Sequence, residues 1–201
     1  MTGTAAGPAA TPFLHAVVLA GGRSSRLGGT PKAGLRRDGT TLLERTVDAA
    51  REAAGVVVVG PEDLVLPVGV LRAREDPPFG GPAAGIAAGL RALETLPPAR
   101  WTLVLACDMP GVRRAVELLL DAARTGPEAP GFVAATPDGH RQPLAALYRS
   151  TVLRGACAGR DLAGRSVRSV VGGLSLREVP VPEIATADVD TWDDVRRHHL
   201  T

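Results

Sequence analysis

A polar, glycine-rich stretch runs from Gly21 to Lys32 and reads Gly-Gly-Arg-Ser-Ser-Arg-Leu-Gly-Gly-Thr-Pro-Lys. Gly21, Gly22, Gly28 and Gly29 let the backbone approach a ligand closely and turn its N–H groups inward. Arg23, Arg26 and Lys32 add positive charge. A loop of this kind suits a di- or triphosphate; the plainer alternative is a flexible turn with solvated arginines. It is neither of the two common phosphate loops. Pro31 precedes Lys32 and Ala33 follows it, so G-x-x-x-x-G-K-[ST] is absent, and so is G-x-G-x-x-G. Lys32 is also the one lysine among 23 Lys and Arg residues. Either a surface lysine has survived by chance, or this position needs a compact ammonium that a planar guanidinium cannot replace.

Two further polar clusters, Asp76 to Gly85 and Asp108, follow apolar runs in the same way. The elements around them explain why. Leu14 to Ala20 reads as a buried strand, and the loop Gly21 to Gly34 follows it. Leu42, Leu43, Thr46, Val47 and Ala50 recur at helical spacing, which predicts a helix over Thr41 to Ala54, ended by Gly55. Val56 to Val59 is a run of β-branched residues and predicts a buried strand, with a weaker one over Val68 to Ala73. Asp76 to Pro82 is a loop, and Pro82 opens a helix continuing from Ala83 to Leu93. Trp101 to Ala106 is a strand that runs into Cys107-Asp108-Met109-Pro110. A helix over Val112 to Arg124 and a strand over Gly131 to Ala135 follow. Pro143 to Tyr148 and Leu174 to Val179 read as strands, and Ser166 to Val171 as a short helix. Thr191 to His199 is a terminal helix, capped by Thr191 or Asp190, with Asp193 and Asp194 in its first turn.

Buried strands alternating with helices imply one α/β domain with a mostly parallel sheet covered on both faces. In such sheets ligands bind beyond the carboxyl ends of the strands, where all three polar clusters fall. At 201 residues the chain can bury a substantial core, and 45% apolar with 22% charged residues excludes a disordered chain. The net charge is +2, and arginines alternate with acids instead of forming the basic patch of a nucleic-acid binder. No apolar run approaches the ~18 residues of a membrane span. Met1 to Pro12 lacks a basic n-region and reads as a flexible tail before a single domain over residues 13–201. Cys107 and Cys157 give neither a disulfide framework nor a zinc pattern, so a cytoplasmic protein is expected.

The motifs carry a family resemblance. Leu19-Ala20-Gly21-Gly22, continuing through Ser24, Arg26 and Gly28 to Lys32, resembles the signature loop of nucleotidyltransferases of the nucleotide-diphospho-sugar type. Within them it is most similar to the molybdenum cofactor guanylyltransferases (MobA-like). Asp76 with Gly81-Pro82-Ala83-Ala84-Gly85 resembles that family's D…GPLAG segment. Leu105 to Pro110 resembles its strand ending in CDMP, and Gln142 to Tyr148 its QPL-ALY strand. Asp188 to Asp194 resembles its closing motif. The matches span nearly the whole chain and occur in the family's order.

The resemblance implies a three-layer α/β/α, Rossmann-like fold and a reaction. An acceptor phosphate oxygen, here of molybdopterin, attacks the α-phosphorus of GTP, GMP is transferred, and pyrophosphate leaves. Such chemistry needs positioning and charge neutralisation more than a covalent nucleophile. Lys32, Arg26 and Asp108 are the implied catalytic residues. Leu19, Ala20, Gly21, Gly22, Lys32, Asp76, Gly81, Pro82, Gly85 and Asp108 are the implied nucleotide-binding residues. Mg²⁺ (or Mn²⁺) is the implied metal, held by Asp108 and Asp190, with Asp188 competing for the second place; Asp190 as a helix cap and Asp108 or Asp76 as turn residues are the alternatives. GTP and molybdopterin would be the small-molecule partners, alongside other cofactor-biosynthesis proteins, in a monomer or weak oligomer. Two positions depart from the family. Pro31 replaces an Asp that often precedes the lysine, and Gly60 replaces an Asn that would touch the nucleotide. Both bear on the choice of base, not on phosphate chemistry. Leu27 replaces a common Met at similar volume.

Competing readings are a cytidylyltransferase acting on molybdopterin or on a sugar or alcohol phosphate, and a non-catalytic nucleotide-binding relative. The intact Lys32 and Asp108 oppose the latter. Cys107 has no conspicuous base partner and reads as a small buried thiol. His15, His198 and His199 read as structural. His140, Arg141, Arg165, Ser166 and Arg168 are candidates to face the acceptor, and an exposed helix start explains the last three equally well.

Overall fold

The computed structural model describes residues 14–22 and 25–201. The tail expected over residues 1–12, and Arg23 and Ser24, lie outside the described residues.

In chain order the elements are β1 (Leu14–Leu19), a two-stranded hairpin of β2 (Arg36–Arg37) and β3 (Thr40–Thr41), α1 (Leu42–Ala49), β4 (Gly55–Val59), β5 (Leu71–Ala73), α2 (Gly81–Ala92), β6 (Trp101–Ala106), α3 (Val112–Thr125), β7 (Gly131–Ala135), β8 (Arg141–Arg149), α4 (Ser150–Cys157), α5 (Val167–Val171), β9 (Arg177–Pro180), α6 (Glu183–Thr186) and α7 (Trp192–Arg197). Short 3₁₀ turns occur at Ser25–Leu27, Lys32–Gly34 and Leu93–Thr95. One seven-stranded sheet runs in the order β5-β4-β1-β6-β8-β7-β9. The pairs β5–β4, β4–β1, β1–β6 and β7–β9 are parallel, and β8 runs antiparallel to both β6 and β7. The expected mostly parallel α/β sheet is therefore present. The exception follows from chain length: β7 and β8 are joined only by the short loop Thr136–His140, which allows a hairpin but no crossover.

Strand alternation builds the three layers. Leu14, Ala16 and Val18 of β1, and Trp101, Leu103 and Leu105 of β6, pack with α1, α3 and α6. The intervening Val17 and Val104 point to the opposite face, where α2, α4 and α5 lie. Helix α2 approaches the sheet closely because Gly85 and Gly89 stand one turn apart on its inner face. A β-carbon on Gly89 would lie 2.6 Å from Val17 Cγ1, and one on Gly85 3.1 Å from Leu19 Cδ2.

Several boundaries differ from the sequence reading. Helix α1 stops at Ala49, five residues before the expected end. The weak strand over 68–73 keeps only 71–73, and the strand expected over 174–179 forms at 177–180. Helix α4 was not anticipated: its β-branched Thr151 and Val152 and its Gly155 are poor helix formers, and burial of Leu153 in the core overrides them.

Candidate nucleotide and metal site

Strand register assembles the site. Leu19 stands opposite Ala106, and the ladder continues past both strands, with Cys107 N–H donating to Leu19 O at 3.0 Å. Gly21 and Asp108, each two residues further on, therefore emerge side by side at the carboxyl edge of the sheet. On the other flank Ala20 N–H donates to Val59 O at 2.8 Å. Gly60 is buried there, and a β-carbon on it would lie 3.3 Å from the Ala20 backbone. Gly60 thus lets the signature loop lie close against the end of β4.

The Gly-rich loop reverses at glycines with positive φ, +63° at Gly28 and +85° at Gly29, a region that residues with a β-carbon avoid. It then delivers Lys32 at the start of a 3₁₀ turn. The tail meets it from the far end of the sequence. Val189 N–H donates to Asp108 O at 2.9 Å, and buried Val189, Val195 and Leu200 pack against Leu27, Leu35 and Leu42 in a small separate core. This core fastens the loop to the segment that carries Asp190.

Lys32 Nζ lies between two carboxylates: it donates to Asp108 Oδ2 at 2.9 Å and also to Asp190 Oδ1. Arg26 donates to the other oxygen of Asp190 at 3.1 Å. The Lys32 and Asp108 side chains are only 18% and 23% exposed, so their charges interact through a partly dry medium. Burial pulls the Lys32 pKa down, but Asp108 and Asp190 outweigh it, and the net shift is upward. Lys32 is therefore a fixed ammonium at any neutral pH. Asp188 is pushed up, first by burial and then by the negative charges of Asp108 and Asp190. Among the described residues, Asp108, Asp188 and Asp190 face Lys32 and Arg26 at this edge.

Asp190 is not the helix cap. Thr191 caps α7, accepting from Asp194 N–H, and Asp194 returns the bond to the Thr191 N–H at 2.9 Å. That capping box leaves the Asp190 carboxylate facing Lys32 and Arg26. Asp108 does not cap α3 either; Gly111 occupies that position. The donor set at this edge, carboxylates beside a phosphate-type loop, fits a hard divalent cation that takes a few carboxylates and completes its shell with substrate oxygens. Among the described residues no group of three or more His, Cys, Asp or Glu is arranged to hold a metal unaided.

The remaining expected residues distribute unevenly. Leu19 and Ala20 are half-buried, while Gly21 and Gly22 are exposed. Gly85 is buried and faces Leu19 and Val59, so it shapes the cleft by packing under it. Gly81 and exposed Pro82 begin α2, and Gly164 N–H donates to Gly80 O at 2.8 Å, tying this turn to the 160s loop. Asp76 is exposed on the wall of a groove of about 520 Å³ formed with α2, α4 and residues 158–163. Its neighbour Glu75, which sequence reasoning passed over, turns toward the loop: a β-carbon on Gly21 would lie 3.9 Å from Glu75 Oε1. Of the residues expected to face an acceptor, Arg168 Nη2 stands 3.3 Å from His140 Nε2, Arg165 Nε donates to Asp161 O, and Ser166 is used as the cap of α5. Cys107 is buried, and burial drives its thiol far above the ordinary range, which removes it as a nucleophile.

The sequence profile of the MobA-like NTP transferase domain matches residues 16–178. The chain is 36% identical over 199 residues to the probable molybdenum cofactor guanylyltransferase of Opitutus terrae, covering 92% of this chain and 96% of that protein. Among solved structures it resembles Rv0371c of Mycobacterium tuberculosis H37Rv, with a TM-score of 0.72 at 28% identity, covering 94% of this chain and 98% of that one. A structure of Rv0371c in complex with manganese gives a TM-score of 0.67 at 27% identity, covering 92% and 97%. The profile contains the Gly-rich loop, Lys32, Asp76 and Asp108 within one continuous match, and the chain belongs to the MobA-like NTP transferase domain family.

Proposed function

We propose that the protein is a divalent-metal-dependent nucleotidyltransferase that transfers GMP from GTP to the phosphate of molybdopterin and releases pyrophosphate. The observation that carries this reading is Lys32 Nζ held between Asp108 and Asp190 at the carboxyl edge of the sheet, directly beside the Gly-rich loop. The choice of GTP rests on Leu19-Ala20-Gly21-Gly22 and on the names of the relatives. The choice of molybdopterin rests on those names alone.

The residues divide the work as follows. Backbone N–H groups of the loop and the Lys32 ammonium bind the triphosphate oxygens and neutralise charge that grows on the departing pyrophosphate. Arg26, from the exposed rim, orients Asp190 and adds a second positive charge. Asp108 and Asp190 would hold Mg²⁺ or Mn²⁺, which supplies Lewis-acid neutralisation of the phosphate oxygens when bound. Lys32 would move from the carboxylates to the phosphates as an ammonium, because the phosphate oxygens would replace the negative charge of Asp108 and Asp190 beside it. The acceptor would enter from the side of His140, Arg165 and Arg168. A cytoplasmic, monomeric or weakly associating enzyme fits this reading. Among the described residues no helix is long and apolar enough to cross a membrane.

Incubating the protein with Mg²⁺, molybdopterin and each nucleoside triphosphate in turn tests the proposal. Pyrophosphate release with GTP, dependent on molybdopterin, is expected. Release with CTP and not GTP overturns the choice of base, and nucleotide binding without release from any triphosphate overturns the enzymatic reading.

A further inference from the structure

The Thr191–Asp194 box does more than cap α7. A capping box needs its acid to accept one backbone N–H, that of the cap residue. Here Asp194 Oδ2 accepts the Thr191 N–H at 2.9 Å, the Thr191 hydroxyl at 2.7 Å and also the Asp190 N–H at 3.2 Å. Its other oxygen, Oδ1, accepts from Arg197 Nη1 at 3.1 Å. The box at the start of α1 offers a comparison within the same chain. Glu44 Oε2 accepts the Thr41 N–H at 2.7 Å and the Thr41 hydroxyl at 2.8 Å, and among the described residues it takes no bond from the residue before the cap. The added bond at α7 is therefore not a requirement of capping. It falls on the residue whose carboxylate meets Lys32 and Arg26.

Two anchors thus hold the Asp190 backbone, one on each side. Val189 N–H donates to Asp108 O at 2.9 Å, which sets the segment against the end of β6. Asp194, with a side chain only 17% exposed, holds the Asp190 N–H from the other side. An aspartate side chain is short, so fixing its backbone narrows where its carboxylate can reach. Arg26, on the exposed rim, can follow that carboxylate but not fix it. A hard cation tolerates little error in the placing of its carboxylates, and the groups that hold such ligands contribute strongly to affinity. We infer that Asp194 is a positioning residue of the cation site: by holding the Asp190 N–H it aims the Asp190 carboxylate at the point it shares with Asp108. The inference rests on the proposed metal role of Asp108 and Asp190, but not on turnover.

Binding of Mn²⁺ alone, followed by the electron paramagnetic resonance of the free ion, reads this geometry without turnover. The wild type is compared with Asp194→Ala, Asp194→Glu, Asp190→Asn and Gly89→Ala, each alongside a thermal melt. Asp194→Ala removes both cap and anchor, and should bind Mn²⁺ about tenfold or more weakly, with a lowered midpoint. Gly89→Ala, which crowds Val17 beneath α2, should lower the midpoint comparably and keep Mn²⁺ affinity within about twofold. Asp194→Glu follows the Thr41–Glu44 pattern. It should keep the cap, with a midpoint within about 2 °C of wild type, and lose the anchor, with Mn²⁺ binding still weakened about tenfold. Asp194→Glu at wild-type affinity, with Asp190→Asn weakened, overturns the positioning role and leaves the metal reading standing. Equal loss of affinity in Asp194→Ala and Gly89→Ala marks a merely structural effect and also overturns it. Unchanged binding in Asp190→Asn overturns the metal reading, and the inference with it.

Discussion

Replacing Lys32 separates the two things its ammonium does. Its Nζ serves two carboxylates from one atom, at 2.9 Å from Asp108 Oδ2 and in contact with Asp190, whose other oxygen is held by Arg26. In Lys32→Met the attraction of about 4 kcal/mol per pair at an effective dielectric near 20 is lost, but most of it was already offset by desolvation. The remaining carboxylates are partly exposed and Arg26 stays on Asp190, so the net loss of stability should be about 1–2 kcal/mol, or roughly 2–8 °C in the thermal midpoint. Lys32→Arg keeps the charge, and its midpoint should move by less than about 2 °C. Its guanidinium is planar and longer, and it pairs best with one carboxylate side-on, not with two carboxylates from one point. It cannot place a compact charge between phosphate oxygens in this loop. Both variants should therefore lose about 10²–10³-fold in kcat, the cost of one preorganised donor, or about 2.7–4 kcal/mol of transition-state stabilisation. Pyrophosphate release with GTP and molybdopterin gives the rates, and circular dichroism with thermal melts gives the fold. Turnover of Lys32→Arg within about threefold of wild type would refute the argument, because a diffuse charge would then serve as well as a point charge.

Asp190→Asn should lower kcat at least about tenfold, whereas Asp193→Asn, whose partner Arg196 is on the same exposed turn, should leave it within twofold. Parallel rates for the two variants would deny Asp190 its role. Gly89→Ala should destabilise the protein by about 1–3 kcal/mol through overpacking, since the new methyl would press on Val17; urea unfolding checks this. His15 is buried with its Nε2 lacking a partner among the described residues, and burial, then Arg154, lowers its pKa below 6.5. The folded state thus binds fewer protons than the unfolded one. Stability from this group is complete above pH 6.5 and declines as the pH falls toward the lowered value, by at most about 1.4 kcal/mol per pH unit. Urea midpoints between pH 5 and 7 should show a shallower slope in His15→Gln, and an identical slope would contradict the assignment.

The sheet and the position of the Gly-rich loop at its edge were legible in the sequence because their signals are local. Short apolar runs such as Val56–Val59, which is rich in β-branched residues and bounded by Gly55 and Gly60, and Trp101–Ala106 read as buried strands. Two kinds of feature were not legible. Helix α4 has weak helix formers and exists because Leu153 finds a place in the core, which is a tertiary effect. The orientation of acidic side chains was equally hidden. Sequence pattern left Asp190 between capping and binding, and only the Thr191–Asp194 capping box releases it. It also singled out Asp76 in a loop where the neighbouring Glu75 faces Gly21. Adjacent acids in a loop carry no periodicity that reveals which one points inward.

The small core of Leu27, Leu35, Leu42, Val189, Val195 and Leu200 has a consequence for the order in which the protein becomes competent. Lys32 and Asp190 lie 158 positions apart, whereas Lys32 and Asp108 lie 76 apart. Contacts at such separations close large loops and form late in folding. During synthesis from the N-terminal end, the sheet edge and the Gly-rich loop can assemble with Asp108 before the tail has been made. That intermediate would present a cation and one acid, but neither Asp190 nor the clamp that holds the loop in place. On the proposed reading, a chain halted short of that point would lack Asp190 and the clamp on the loop, and full competence would await the docking of these last apolar side chains.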